Sequence, residues 1–270
     1  MSKKRMDNSR ILLLLVLFDF IFFGICLTYA FFKKDYAIVF VAFVCGFLII
    51  VGYFIYTAVY TAVKAGRALR DLSIRIGASF EARPQRVEIP EIFYGQGGII
   101  QFKKVKNLVK TNSGLDIFIN SYWLQRRGES VLLQHLYIFF PISPVQGYHR
   151  IAPKIKLPSL LTKIEKFIPS GLLPIINTGM PEIDANYYVF SDKEGEAKRI
   201  LGKVDYSLKE LAGEQVYFSP LPAVDFCAPA WLEIHITDKY ALARMTIEAA
   251  PKLDQLYPIF EDIKKSLTVY

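Results

Sequence analysis

ILLLLVLFDFIFFGICLTYAFF at residues 11–32 and YAIVFVAFVCGFLIIVGYFIYTAVYTAV at residues 36–63 decide how this 270-residue chain reads. The first run is broken by a single charge, Asp19, and the second by none. Each exceeds the roughly 20 residues that a helix needs to cross about 30 Å of hydrocarbon. The reading is therefore two transmembrane helices, joined by Lys33, Lys34 and Asp35 and forced antiparallel by so short a loop. A cleaved signal peptide is the competing reading of the first run, but its apolar stretch is longer than a signal core of about 7 to 15 residues.

Lysines and arginines at the ends of the runs set the orientation. Lys3, Lys4, Arg5 and Arg10 precede the first run, Lys64, Arg67, Arg70 and Arg75 follow the second, and the loop holds only Lys33 and Lys34. By the positive-inside rule both termini are cytoplasmic, and the expected location is the cell membrane, multi-pass. Asp19 falls near mid-membrane, where a carboxylate costs on the order of 3 kcal/mol. Reflecting the hairpin about its loop brings Tyr53 within reach as a partner for an intramembrane polar contact. Such a contact reads as glue between helices or subunits, because a proton relay needs several ionisable groups in series. Ala42 and Gly46, and Ala58 and Ala62, are small-residue pairs at four-residue spacing that allow close helix packing.

Outward from the runs, residues 64–83 read as a basic helical stalk with Leu72, Ile76 and Phe80 on one side, stopped by Pro84. Residues 84–270 read as a cytosolic α+β domain with a possible internal boundary near residue 170. Residues 115–124 and 131–140 form one β-hairpin around the charged tip 125–130, and residues 231–236 and 240–247 a second around Thr237, Asp238 and Lys239. Glu233, His235 and Thr237 alternate with Leu232, Ile234 and Ile236, which places the polar three on the strand surface. Ser191 and Glu194 match a capping box, and Gly202 suits the end of the helix that follows. Residues 252–267 carry a helical stripe of Leu253, Leu256, Phe260, Ile263 and Leu267, with Pro258 predicting a kink or a late start. The fold class is thus α+β: a transmembrane helical hairpin, then antiparallel hairpins and a C-terminal helix.

The stretch Thr178-Gly179-Met180-Pro181-Glu182-Ile183-Asp184, followed by Tyr187-Tyr188-Val189-Phe190-Ser191-Asp192, resembles a family of uncharacterised prokaryotic two-helix membrane proteins. Its members carry a Thr-Gly-x-Pro-Glu-x-Asp motif, then a strand, Ser-Asp and a short helix. The resemblance implies a two-helix anchor ahead of a soluble region and brings no assigned activity. Read from its residues alone, the stretch is a turn: Gly179 permits a positive φ, Pro181 stiffens it, and Glu182 or Asp184 can accept backbone amides.

Chemistry-bearing motifs are thin. Cys227 and His235 are the one conceivable nucleophile–base pair, and a lone cysteine between Phe226 and Ala228 reads as a small buried hydrophobe. His135, His149 and His235 lack metal-ligand spacing, and Gly95-Gln96-Gly97-Gly98 is a turn, not a dinucleotide fingerprint. No catalytic residue, metal or cofactor is assigned. Charge is uneven: residues 64–170 hold 17 Lys+Arg against seven Asp+Glu, and residues 171–270 hold 10 against 15. Lys103, Lys104 and Lys106, with Lys64, Arg67, Arg70 and Arg75, form the basic set expected to face anionic lipid. Nucleic acid is not expected, since no recognised binding motif occurs. The predicted function is a membrane-anchored, non-enzymatic interaction or scaffold protein, with membrane lipid and either a protein partner or further copies of itself as partners. Anionic lipid or small-ligand binding, and a role as transporter subunit or unrecognised enzyme, are the alternatives.

Overall fold

A computed structural model describes residues 18, 21–29, 31, 32, 37–85, 87, 89, 90, 93, 105–126, 129–154, 173–213, 215–218, 226–229 and 232–268, with backbone alone at 38, 50, 54, 57, 58, 122–126, 129–133, 153, 215–218, 226–229 and 248. The described residues up to Thr61 fall in one compact unit, and those of Ala62–Phe218 and Phe226–Tyr270 in another.

In the first unit, residues 18, 21–29, 31 and 32 are helical, and helix α1 (Ala37–Arg75) begins. Cys26, Ala42 and Gly46 are buried, whereas large side chains such as Phe40, Phe43, Phe47, Leu48 and Ile55 are exposed. Among the described residues no helix is long and apolar enough to cross a membrane. This finding overturns the expected transmembrane hairpin, and with it the expected multi-pass cell-membrane location and cytoplasmic termini. The second run is no element of its own: α1 passes residue 63 without a break and carries Lys64, Arg67, Arg70 and Arg75 in its last turns.

The expected stalk is also corrected. Ala65, Leu69 and Leu72 of α1 are buried in the main core, so these turns are part of the domain and not a spacer. The helix ends at Arg75, not near residue 83. Gly77 sits at φ +64°, with the amide of Ala78 donating to the Ser73 carbonyl at 2.8 Å and that of Gly77 to the Ile74 carbonyl at 3.4 Å. A left-handed glycine with these two bonds is the Schellman stop, and it turns the chain into β1 (Ser79–Glu81).

The second unit is built on a nine-stranded antiparallel sheet in the order β1-β2-β3-β4-β11-β10-β5-β7-β6. Its other strands are β2 (Val105–Lys110), β3 (Asp116–Arg126), β4 (Glu129–Pro141), β5 (Tyr148–Pro153), β6 (Ile175–Ile176), β7 (Tyr187–Ser191), β10 (Glu233–Thr237) and β11 (Tyr240–Thr246). β8 (Gln215–Phe218) and β9 (Phe226–Pro229) form a separate pair. Both expected hairpins are present as β3–β4 and β10–β11, and they fuse into one sheet because β11 pairs with β4 from Tyr240↔Pro141 to Thr246↔His135. β5 pairs with β10 and with β7, so the sheet runs across residue 170.

Three helices complete the unit: α2 (Pro181–Asn186), α3 (Glu194–Gly213) and α4 (Leu253–Thr268), the last preceded by a 3-10 turn over Ile247–Lys252. One sheet face, with Ile138, Ala243 and Ile234 on it, packs in a single apolar core with Leu201 and Leu208 of α3 and Leu256 and Phe260 of α4. α3 runs through Gly202, where an end was expected. Its buried positions Ala197, Leu201, Val204, Leu208 and Leu211 continue at helical spacing past the glycine, and that burial outweighs a propensity cost of about 1 kcal/mol. The capping box is not formed. The Ser191 hydroxyl takes the amide of Lys193 at 2.9 Å, and Glu194 turns outward to Lys198 at 2.7 Å. α4 starts at Leu253 and contains Pro258 within it.

Candidate functional site

Strand alternation decides what the other sheet face holds. In register, Glu233 of β10 stands opposite Arg244 of β11, His235 opposite Arg150 of β5, and Thr237 opposite Tyr148. Period-two geometry puts all of them on the face away from the main core. One end of this face is apolar: Phe118, Tyr137, Phe139 and Leu242 pack with Ile89 and Phe93. The rest is polar and buried. Glu233, His235, Arg150 and Arg244 are each less than a tenth exposed.

Glu233 is the hub. Arg150 Nη2 donates to its Oε1 at 2.7 Å, Arg244 Nη2 donates to its Oε2, and His235 Nε2 lies 3.4 Å from Oε2. Burial alone would push the Glu233 carboxyl up, but His235 and the two guanidinium groups outweigh it and hold the carboxyl well below the usual carboxylate range. Burial drives His235 down, so its ring is neutral. Burial also pushes the Tyr148 phenol up, so it keeps its proton and donates to His235 Nδ1. That bond assigns the remaining ring proton to Nε2, facing the carboxylate. Arg150 lies over the Phe190 ring, 5.2 Å from its centroid. A carboxylate between two arginines, with a neutral histidine and a protonated phenol, ties β5, β10 and β11 together.

Sequence reasoning placed Glu233, His235 and Thr237 on a strand surface, and the structure corrects this: all three are buried. The available signal was that Glu233-x-His235-x-Thr237 and Arg244-x-Thr246 both alternate polar with apolar residues. Several such strands together make a polar layer whose mutual pairing allows burial.

No protein-family model and no curated protein matches the sequence. Among solved structures, the mycobacterial trehalose monomycolate transport factor A is similar at a TM-score of 0.38 and 12% identity, over 76% of this chain and 97% of that one. That neighbour is a transport factor.

The motif around residue 180 is a built turn. Gly179 adopts φ +74°, and Asp184 accepts the Thr178 amide at 3.2 Å, the Thr178 hydroxyl at 2.9 Å and the Gly179 amide at 3.2 Å. Pro181 opens α2, and Glu182 pairs with Lys209 at 2.9 Å. Two members reach the sheet. Ser191 Oγ lies 2.8 Å from His149 Nδ1, and Asp192 accepts the Tyr148 amide at 2.8 Å, which fixes the strand carrying Tyr148 and Arg150.

Asp19, Lys103 and Lys104 lie outside the described residues, as do the side chains of Ala58 and Cys227. Tyr53 is half-buried, Ala42 and Gly46 are buried in the first unit, and Ala62 packs against the main core. Lys64, Arg67, Arg70 and Lys106 are exposed, and Arg75 is ion-paired with Asp254. Among the described residues no group of three or more His, Cys, Asp or Glu side chains could hold a metal ion.

Proposed function

We propose that this is a non-enzymatic interaction protein, whose helical unit up to Thr61 takes up another protein chain or a further copy of itself. The observation that supports it is the exposed apolar surface of α1, where Phe40, Phe43, Phe47, Leu48, Ile55 and Tyr56 face outward from a stretch without a single charge. Contiguous apolar surface beyond a few hundred Å² marks an interaction site on most folded chains. Ala42 and Gly46 are already spent inside the unit, so recognition falls to the large side chains. Glu233 is held between Arg150 and Arg244, a structural pairing that suits a binding scaffold.

A photo-crosslinking side chain placed at Phe43 or Phe47 of the full chain, in its native cells, tests this. Crosslinks to one defined protein, or to a second copy, are expected at both positions. Adducts with lipid alone, or a chain that stays monomeric with no protein attached, overturn the reading.

A further inference from the structure

The turn between β4 and β5 is tied to two helices and leaves a cavity beside them. The amide of Ser143 donates to the Leu267 carbonyl of α4 at 3.0 Å, and that of Gln146 to the Glu196 carboxylate of α3 at 3.4 Å. Pro144 and Val145 stand between these two anchors. With Ile200 and Leu267 they line a surface cavity of about 250 Å³, whose charged lining is Arg199 and Lys203. Every lining residue belongs to the second unit, so the site uses nothing of the helical surface proposed above.

Charge, polarity and size together select the occupant. Arg199 and Lys203 are exposed and one turn apart on α3, a spacing at which like charges repel, and no acid lines the cavity. Arg199 is held on Glu196, Nε to Oε2 at 2.8 Å and Nη2 to Oε1 at 2.6 Å, which fixes its guanidinium and offsets one of the two charges. The surplus cation favours a single negative charge at the mouth. Deeper in, Ile200 and Leu267 are buried, and with Pro144 and Val145 they make an aliphatic floor with no aromatic ring to stack on. A hydrocarbon chain gains from such a wall, whereas a bare hydrated anion does not. An apolar cavity of about 150 Å³ takes one benzene ring, roughly 25 Å³ for each carbon, so this one seats about ten heavy atoms. Octanoate has that size.

We propose that this cavity binds a medium-chain aliphatic monocarboxylate. The carboxylate lies between Arg199 and Lys203, and the chain lies along Pro144, Val145, Ile200 and Leu267.

The probe is octanoate, titrated below its micelle concentration into the full chain. The methyl signals of Ile200 and Leu267 are followed by NMR and identified by their loss in Ile200→Leu and Leu267→Met. Saturable shifts at both are expected. Affinity should rise about four-fold with each methylene from butanoate to octanoate and level off by decanoate, where the cavity is full. Octanol keeps the chain without the charge and should bind at least about ten-fold more weakly. Lys203→Met, at an exposed position, should weaken octanoate toward octanol and leave octanol itself unchanged. Signals that do not saturate, shifts confined to α1 methyls such as Ile55, affinity still climbing through decanoate, equal binding of octanol, or octanoate binding untouched by Lys203→Met would each overturn the proposal. The chain-length series and the octanol comparison need no variant to fold.

Discussion

Glu233→Gln isolates the charge at the centre of the buried network, since glutamine keeps the size and one acceptor oxygen. It leaves Arg150 and Arg244 both buried without their shared carboxylate. Breaking a buried ion pair by neutralising one partner costs about 3 to 5 kcal/mol, against a total domain stability of about 5 to 15 kcal/mol. At a urea slope near 2.5 kcal/mol/M, the unfolding midpoint should fall by about 1.5 M. The assay is urea unfolding of the full chain at pH 7.5, followed by far-UV circular dichroism. The triple replacement Arg150→Met, Glu233→Leu, Arg244→Met should recover most of the loss, because it removes all three charges together. A midpoint within about 0.4 M of the native value for Glu233→Gln, equivalent to about 1 kcal/mol, would refute the account of Glu233 as a buried hub.

Three further outcomes follow from the same geometry. His135 is neutral in the fold down to about 4 against an ordinary 6.5, so below pH 6.5 the unfolded chain binds the extra proton and stability falls with pH through that window. Between pH 7.5 and 4.5 this group should account for a loss of about 2 kcal/mol, allowing for its partial exposure, and His135→Gln should flatten the pH profile by that amount in parallel urea titrations. Asp184→Ala leaves the Thr178 amide and hydroxyl and the Gly179 amide without their acceptor; the expected cost is about 2 kcal/mol, with Asp184→Asn losing about half, and an unchanged denaturation midpoint would count against the built turn. A Cβ on Gly66 would lie 2.8 Å from Asn107 Nδ2, so Gly66→Ala should destabilise and the added Asn107→Gly should reverse the effect. The pair is then expected to be non-additive by about 1 kcal/mol in a double-mutant cycle, and simple additivity would show that α1 does not meet β2 at this point.

Local pattern made much of the fold legible. The β-rich runs at residues 115–124 and 131–140, and the pair at 231–236 and 240–247 with its alternation over Leu232–Thr237, marked two hairpins that are present, and the stripe from Leu253 to Leu267 marked the C-terminal helix. Gly179, Pro181 and Asp184 announced a turn through their own backbone preferences. These are properties of neighbouring residues, set by strand and helix periods and by φ limits.

What distant segments do to one another was not legible. Apolar runs read as membrane spans because length and hydropathy count side chains without saying where they go. Ala65, Leu69 and Leu72 went into the domain core, and Gly77 stopped α1 at a place no spacing rule marks. Gly202 carried on as helix because the buried face of α3 continued beyond it.

By itself, the amino-acid sequence determined which residues alternate, which helices have an apolar stripe, where the turns lie, and how unevenly apolar matter and charge are spread along the chain. Only the tertiary structure decided that β4 and β11 meet, and that Glu233, His235, Arg150 and Arg244 share one buried layer. The physical reason is that a polar strand face is solvated or buried according to what stands on the neighbouring strands. That pairing joins residues about a hundred positions apart, beyond the reach of any local period.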